Sequence, residues 1–293
     1  MKWEGNRQSD NVEDQRDGGS GGGRGGLSGG RSIGVGSIAI ALLAGWVFGI
    51  NPLTVLGLLD GGGSAPQVQS QSTPHAPPAS DHLAQFVSTV LADTEDVWKD
   101  VFAKAGGSYR EPKLVLFRGG TSTACGAGET AMGPFYCPGD QKVYIDLDFY
   151  QTLKNKLGAP GEFAQAYVVA HEVGHHVQNL LGISEKMDAQ RGRISKTDYN
   201  ALSVRLELQA DCFAGVWANK SNESRKTLES GDIESAMNAA AKIGDDALQK
   251  QAQGYVVPES FTHGTSAQRT RWFNQGLQNG SVKGCDTFSA RNL

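Results

Sequence analysis

No basic stripe runs through this sequence. Asp and Glu outnumber Lys and Arg, 31 to 27, for a formal net charge of -4. The cations are scattered rather than interleaved with aromatics, and a nucleic-acid partner needs a clustered positive surface, so none is expected. No Cys-x-x-Cys pair occurs among the four cysteines, which argues against a cysteine-ligated zinc cluster. Internal repeats are absent. Histidine is scarce, with six in all, yet three of them fall between Ala170 and Val177. Long apolar runs are missing with one exception, the stretch from Ser32 to Leu59, which holds no charged residue.

That exception reads as a membrane anchor. Ile33 to Ile50 is rich in Ile, Val, Leu and Ala and is about the minimum length for a hydrocarbon core of about 30 Å. A buried core helix is disfavoured because flexible sequence lies on either side. A cleaved signal peptide is disfavoured by the long preceding region and by Pro66 directly after the candidate site Gly63-Ser64-Ala65. Lys2, Arg7, Arg16, Arg24 and Arg31 precede the run, and no Lys or Arg follows before Lys99. The positive-inside rule then keeps the N-terminus in the cytoplasm and exports the rest. Residues 1–31 are expected to be a disordered Gly-rich tail, 32–59 a single-pass anchor, 60–80 a flexible linker and 81–293 the folded domain. Cys125, Cys137, Cys212 and Cys285 in an exported domain suggest two disulfides. Three connectivities are open. Cys125–Cys137 with Cys212–Cys285 is the first choice, because the former brackets a Gly-rich loop.

Apolar spacing predicts a helix from His82 to Phe102, and β-branched and aromatic runs predict strands over Lys113–Arg118 and Lys142–Leu147. Helices follow over Glu162–Leu181 (after Pro160-Gly161), from about Tyr199 to Asn219, from Asp232 to about Gln251, and over Thr265–Leu277. Thr265 and Gln268 have capping-box spacing. The expected class is α+β, mostly helical with a few N-terminal strands, preceded by one transmembrane helix.

His171-Glu172-Val173-Gly174-His175 is a His-Glu-x-x-His sequence. On a helix, residues four apart share a face, so both imidazoles reach one ion and Glu172 lies beside it. Zinc suits such ligands, and catalytic zinc takes a third protein ligand while leaving a position for water. Glu207 and Asp211 lie one turn apart on a helix otherwise apolar at Leu202, Leu206, Ala210, Phe213 and Trp217. Carboxylates buried there need partners. Glu207 is therefore assigned as third ligand and Asp211 as the acceptor that orients a histidine. A solvated acidic face is the alternative. His176 points elsewhere and reads as structural. His263, between Thr262 and Gly264, is the candidate donor to a reacting oxygen, with a capping role as its alternative. Val143–Asp146 reads as a core strand, or else as an edge that pairs with an extended peptide. Arg269 and Arg271 could neutralise a carboxylate, with surface charge as the default reading.

His171–His175 with Glu207-x-x-Ala210-Asp211 resembles the Glu-type zincins. The whole chain resembles more closely the neutral zinc metallopeptidase family of bacteria. The likeness rests on Met1–Gly5 with Ser9–Asp14, Gly133–Pro138, His171–Gln178, Leu208–Cys212 and Thr262–Arg269. It implies a zincin-like fold, Zn²⁺ on His171, His175 and Glu207, Glu172 as general base, and a protein or peptide substrate. It also implies a bacterial inner-membrane protein with its catalytic domain outside the cytoplasm. Two other readings remain: a non-proteolytic envelope binding protein stabilised by zinc, with Cys212 a possible fourth ligand, and a zinc amidase acting on cell-wall material.

Overall fold

The computed structural model describes residues 1–16, 76–129 and 133–293, and a strand forms within the first sixteen. Strand β1 (Val12–Asp14) is followed by helix α1 (His82–Lys104), strand β2 (Lys113–Phe117), the hairpin β3 (Gly120–Thr123) and β4 (Gly126–Glu129), then β5 (Phe135–Cys137) and β6 (Lys142–Asp146). Helices then take over: α2 (Asp148–Asn155), α3 (Glu162–Leu180), α4 (Ile183–Asp188), α5 (Lys196–Arg225), α6 (Asp232–Lys242), α7 (Asp245–Gln253) and α8 (Ser266–Asn279). The class is mixed α+β, with helices dominant and few strands.

The larger sheet runs β1-β2-β6-β5, with β1, β2 and β6 parallel and β5 antiparallel to β6. β2 and β6 are paired on both sides, which suits their near-continuous apolar sequence. Alternate residues divide between the two faces. Leu114, Leu116, Val143 and Ile145 enter the main core, whereas Val115, Phe117 and Tyr144 form a smaller cluster with Cys137. Residues 143–146 are thus a core strand. The edge reading for them is corrected, because on that side the edge is β5.

The expectation of a disordered tail over residues 1–31 is corrected for the first sixteen. Trp3 is buried, packs edge-on against Phe86 and donates from Nε1 to Glu162. Arg7 pairs with Glu95 and Asp96, and Ser9 and Asn11 also donate to the buried Glu95 carboxylate. Val12, Glu13 and Asp14 then align with Leu114, Val115 and Leu116 of β2. The segment is too polar to look foldable, but its polar groups find their partners on α1. Residues 17–31, the anchor expected over 32–59 and the linker up to residue 75 lie outside the described residues. Among the described residues, no helix is long and apolar enough to cross a membrane.

Two features of the helical half place the site. α3 and α5 cross closely at Gly174, where a Cβ would lie 3.0 Å from the Ala210 carbonyl oxygen and 3.2 Å from its Cα. Any larger residue would push apart the two helices that carry the ligand candidates. The single helix expected from Asp232 to Gln251 is instead two, α6 and α7, interrupted at Ile243-Gly244. A Cβ on Gly244 would sit 2.5 Å from the Ser266 nitrogen, so the chain turns here against the start of α8. The Asp245 amide then bonds the Gly264 carbonyl at 2.9 Å. The capping box of Thr265 and Gln268 begins α8 as expected. Disulfides join Cys125 to Cys137 and Cys212 to Cys285.

Candidate active site

His171 and His175 project from the middle of α3, one turn apart, with ring centroids 4.8 Å apart and planes at 86°. Facing them on α5 is Glu207. His171 Nε2 lies 3.2 Å from Glu207 Oε2, and His175 Nε2 lies 3.5 Å from Oε1. The three side chains each present one donor atom, all within 4.8 Å of one another. Two imidazoles and a carboxylate converging in this way are the donor set zinc takes at catalytic sites. Among the described residues, this cluster contains no fourth His, Cys, Asp or Glu.

What stands behind each histidine fixes which nitrogen faces inward. His171 Nδ1 lies 2.8 Å from Asp211 Oδ1. His175 Nδ1 lies 2.9 Å from Gln178 Oε1. Both partners are acceptors, so each Nδ1 carries a hydrogen, and Nε2 is the nitrogen that each ring turns toward Glu207. The Gln178 orientation is itself settled, because its Nε2 donates to the Leu206 carbonyl at 2.7 Å and to Gln209 Oε1 at 3.1 Å. Gln209 in turn donates to the Cys285 carbonyl at 3.0 Å. The amide pair thus links His175 to the residue bridged to Cys212.

Asp211 is fully buried and heavily bonded. Tyr167 donates its hydroxyl to Oδ1 at 2.5 Å, and the Arg269 guanidinium reaches both oxygens. Burial pushes the Asp211 carboxyl up, but Arg269 and then His171 outweigh it and hold the value down at about 2. Arg269, read from sequence as surface charge, is only 2% exposed and is corrected accordingly. Arg271 is exposed.

The electrostatics favour a cation. Burial disfavours charge on His171, yet the Asp211 and Glu207 carboxylates raise its pKa to about 10. Glu207 likewise resists its burial, because the two imidazoles hold it well below the usual carboxylate range. A pocket negative enough to hold protons on its histidines is one where a dication competes with those protons. Glu172, buried beside His171, is shifted the other way, its pKa raised chiefly by burial.

His263 approaches from the α7–α8 connection, half exposed, and its charge is felt by Glu207. Asp245 organises it. One carboxylate oxygen accepts the amides of Thr262, His263 and Gly264 at 2.8, 2.6 and 3.0 Å, and the other lies 3.1 Å from His263 Nδ1. His176 is fully buried between the Arg110 carbonyl, 2.6 Å from Nε2, and the Tyr136 hydroxyl, 3.0 Å from Nδ1. Burial lowers its pKa to about 4, so it is a neutral strut between α3 and β5.

Sequence reasoning did not single out Gln178, Gln209, Tyr167 or Asp245. Gln178 carried a signal, being three residues after His175 on the same helix face. Asp245 carried none, since its role depends on the break at Gly244.

Residues 1–288 match the family described as "Putative neutral zinc metallopeptidase". Protein YpfJ of Escherichia coli (strain K12) is 52% identical over 289 residues, covering 98% of this chain and 99% of that one. Protein Rv2575 of Mycobacterium tuberculosis (strain H37Rv) is 44% identical over 207 residues, 67% of this chain and 68% of its own. No solved structure matches the chain. With the family's match spanning nearly the full length, from the N-terminal strand through both helices that carry the donor atoms, the chain belongs to the neutral zinc metallopeptidase family.

Proposed function

We propose that the protein is a zinc-dependent endopeptidase in which His171, His175 and Glu207 hold the metal and Glu172 moves the proton. The convergence of those three donors beside a buried Glu172 carries this reading. Bound zinc supplies Lewis acidity toward a water molecule and a peptide carbonyl. Glu172 takes the proton from the attacking water at its carboxylate and returns it to the departing amine nitrogen. Its raised pKa suits both halves of that task. His263, oriented by Asp245, which also raises its pKa, donates to the developing oxyanion.

The substrate-pairing edge in this reading is β5, which lies at the end of the sheet order. Its Tyr136 hydroxyl bonds Asn179 and His176 of α3, so an extended peptide added there would run beside the helix that carries both histidines. The two disulfides favour an oxidising compartment, so we place the domain outside the cytoplasm, with the apolar run over 32–59 as its contact with the membrane.

The non-proteolytic reading needs a closed, four-ligand zinc. Cys212, its candidate fourth ligand, is bonded to Cys285 instead. The Glu172→Gln variant tests the endopeptidase reading. It should keep near-stoichiometric zinc by elemental mass spectrometry while cleavage of unfolded protein substrates falls by about 10²-fold or more. Unchanged hydrolysis in that variant would remove Glu172 from the mechanism. Peptidoglycan fragments, assayed beside the proteins, separate a cell-wall amidase from a peptidase.

A further inference from the structure

We infer that Gln209 is a positioning residue for His175, acting through Gln178, and that the Cys212–Cys285 bridge holds the far end of this chain of amides. Breaking the bridge would then weaken metal binding at a histidine on another helix. The inference rests on the reading of His175 as a metal ligand.

Three hydrogen bonds make the connection. His175 Nδ1 donates to Gln178 Oε1 at 2.9 Å, Gln178 Nε2 to Gln209 Oε1 at 3.1 Å, and Gln209 Nε2 to the Cys285 carbonyl at 3.0 Å. The last acceptor sets the direction of the rest. A backbone carbonyl only accepts, so Gln209 presents Nε2 to it and Oε1 to Gln178. Gln178 then presents its own Nε2 to Gln209 and its Oε1 to His175. The other Nε2 hydrogen of Gln178 goes to the Leu206 carbonyl at 2.7 Å. With Gln209 reversed, two NH2 groups would face each other. Turning Gln178 over to relieve that clash would aim its NH2 at His175 Nδ1. That nitrogen would have to accept, which moves the ring hydrogen to Nε2, the atom the metal needs. Gln178 is 0% exposed and Gln209 6%, so bulk water does not stand in for a lost partner and each missing bond is felt.

The bridge fixes where that carbonyl stands. Cys285 ends the short 3-10 turn Val282–Cys285 beyond α8. It is tied to Cys212, which lies on α5 three residues after Gln209 and so on a neighbouring position of the same face. One turn of α5 therefore carries both the donor to the Cys285 carbonyl and the sulfur that holds Cys285 in place. Cys212 also directly follows Asp211, the acceptor for His171, and the 73-residue separation it closes contains Asp245, His263 and Arg269. Arg205 gives the segment a second anchor. Its Nη1 donates to the Ala290 carbonyl at 3.1 Å, and the Thr287 hydroxyl donates to its carbonyl at 2.6 Å. Without the bridge, the segment should therefore stay docked while its carbonyl loses its fixed position.

The test compares the full chain with Gln209→Met, with Cys212→Ala/Cys285→Ala, and with the triple variant. Zinc affinity is read by chelator competition, and ligand geometry by the visible absorption of bound Co²⁺, which takes the same kinds of ligand. Gln209→Met and the bridge variant should each bind zinc about 10-fold or more weakly and shift the Co²⁺ bands. The triple variant should lose little more than the worse of the two, because both changes act on one chain of contacts. Cys125→Ala/Cys137→Ala, which removes the other bridge, should keep the wild-type zinc affinity. Unchanged affinity in Gln209→Met, losses that multiply in the triple variant, or an equal loss on removing the other bridge would each overturn the inference while the zinc reading stands. The bridge variant alters no group of the amide chain, so unchanged affinity there overturns the linkage even where Gln209→Met does not fold. A wild-type chain that takes up no zinc would overturn the reading of His175 as a ligand, and this inference with it.

Discussion

Arg269 grips Asp211 with two parallel hydrogen bonds of 2.9 Å, from Nε to Oδ2 and from Nη2 to Oδ1. Both groups are essentially out of water, and the same Asp211 oxygen that accepts from Nη2 also lies 2.8 Å from His171 Nδ1. The guanidinium therefore acts on the candidate metal site through one intervening carboxylate.

Replacing Arg269 by Met should leave Asp211 buried without its counter-charge. Breaking such a pair costs about 3–5 kcal/mol, and the loosened His171 should weaken zinc binding by about 10–100-fold. Denaturant unfolding and competition with a chromophoric chelator measure the two effects separately.

The opposite histidine has an uncharged support. Gln178→Leu removes the acceptor for His175 Nδ1 and the side-chain donor to the Leu206 carbonyl. We expect about 10–100-fold weaker zinc binding with about 1–3 kcal/mol of lost stability. Unaltered zinc affinity by chelator competition would show that His175 orients itself.

The pH dependence of catalysis should report on Asp245. Burial lowers the pKa of His263, but Asp245 and Glu207 outweigh it and lift the value above the ordinary 6.5. The charged donor is thus present at lower pH and is lost as pH rises through that elevated value. Asp245→Asn removes a raising influence, so the alkaline limb of kcat/KM should move to lower pH by about 1 unit or more. A limb that stays in place would assign it to another group.

Trp3→Ala tests whether the N-terminal segment belongs to the fold. Emptying the slot of a buried Trp costs about 3–5 kcal/mol, read as a lower midpoint in denaturant. A chain shortened to begin at Asp81 should be less stable still, since it also leaves Glu95 without Arg7, Ser9 and Asn11.

The parts of the site that were legible in the sequence are those written at helical spacing. His171 with His175, and Glu207 with Asp211, each lie one turn apart, and the apolar setting of the second pair already asked for partners. Beyond those pairs and the disulfides, contacts made across long separations were not legible. Arg269 looks like any surface arginine until α8 packs beside α5. The helix break at Ile243-Gly244 depends on the approach of Ser266, which no local pattern announces. The first sixteen residues are polar enough to pass for a solvated tail, and only α1 and β2, brought to them by the fold, supply their partners. β5 is three residues long, too short for alternation to reveal it as the sheet edge.

The pairing of β1 with β2 has a kinetic consequence. Val12 and Leu114 meet across about a hundred residues of chain, and the entropy of closing such a loop must be met before any contact within it is gained. Docking of the N-terminal strand is therefore a late event, after α1, β2 and β6 have assembled from nearer neighbours. Contacts formed after the transition state govern escape from the native state rather than arrival at it. Substitutions at Trp3 or Val12 should accordingly speed unfolding while leaving the refolding rate nearly unchanged, making the strand a latch on the lifetime of the folded protein.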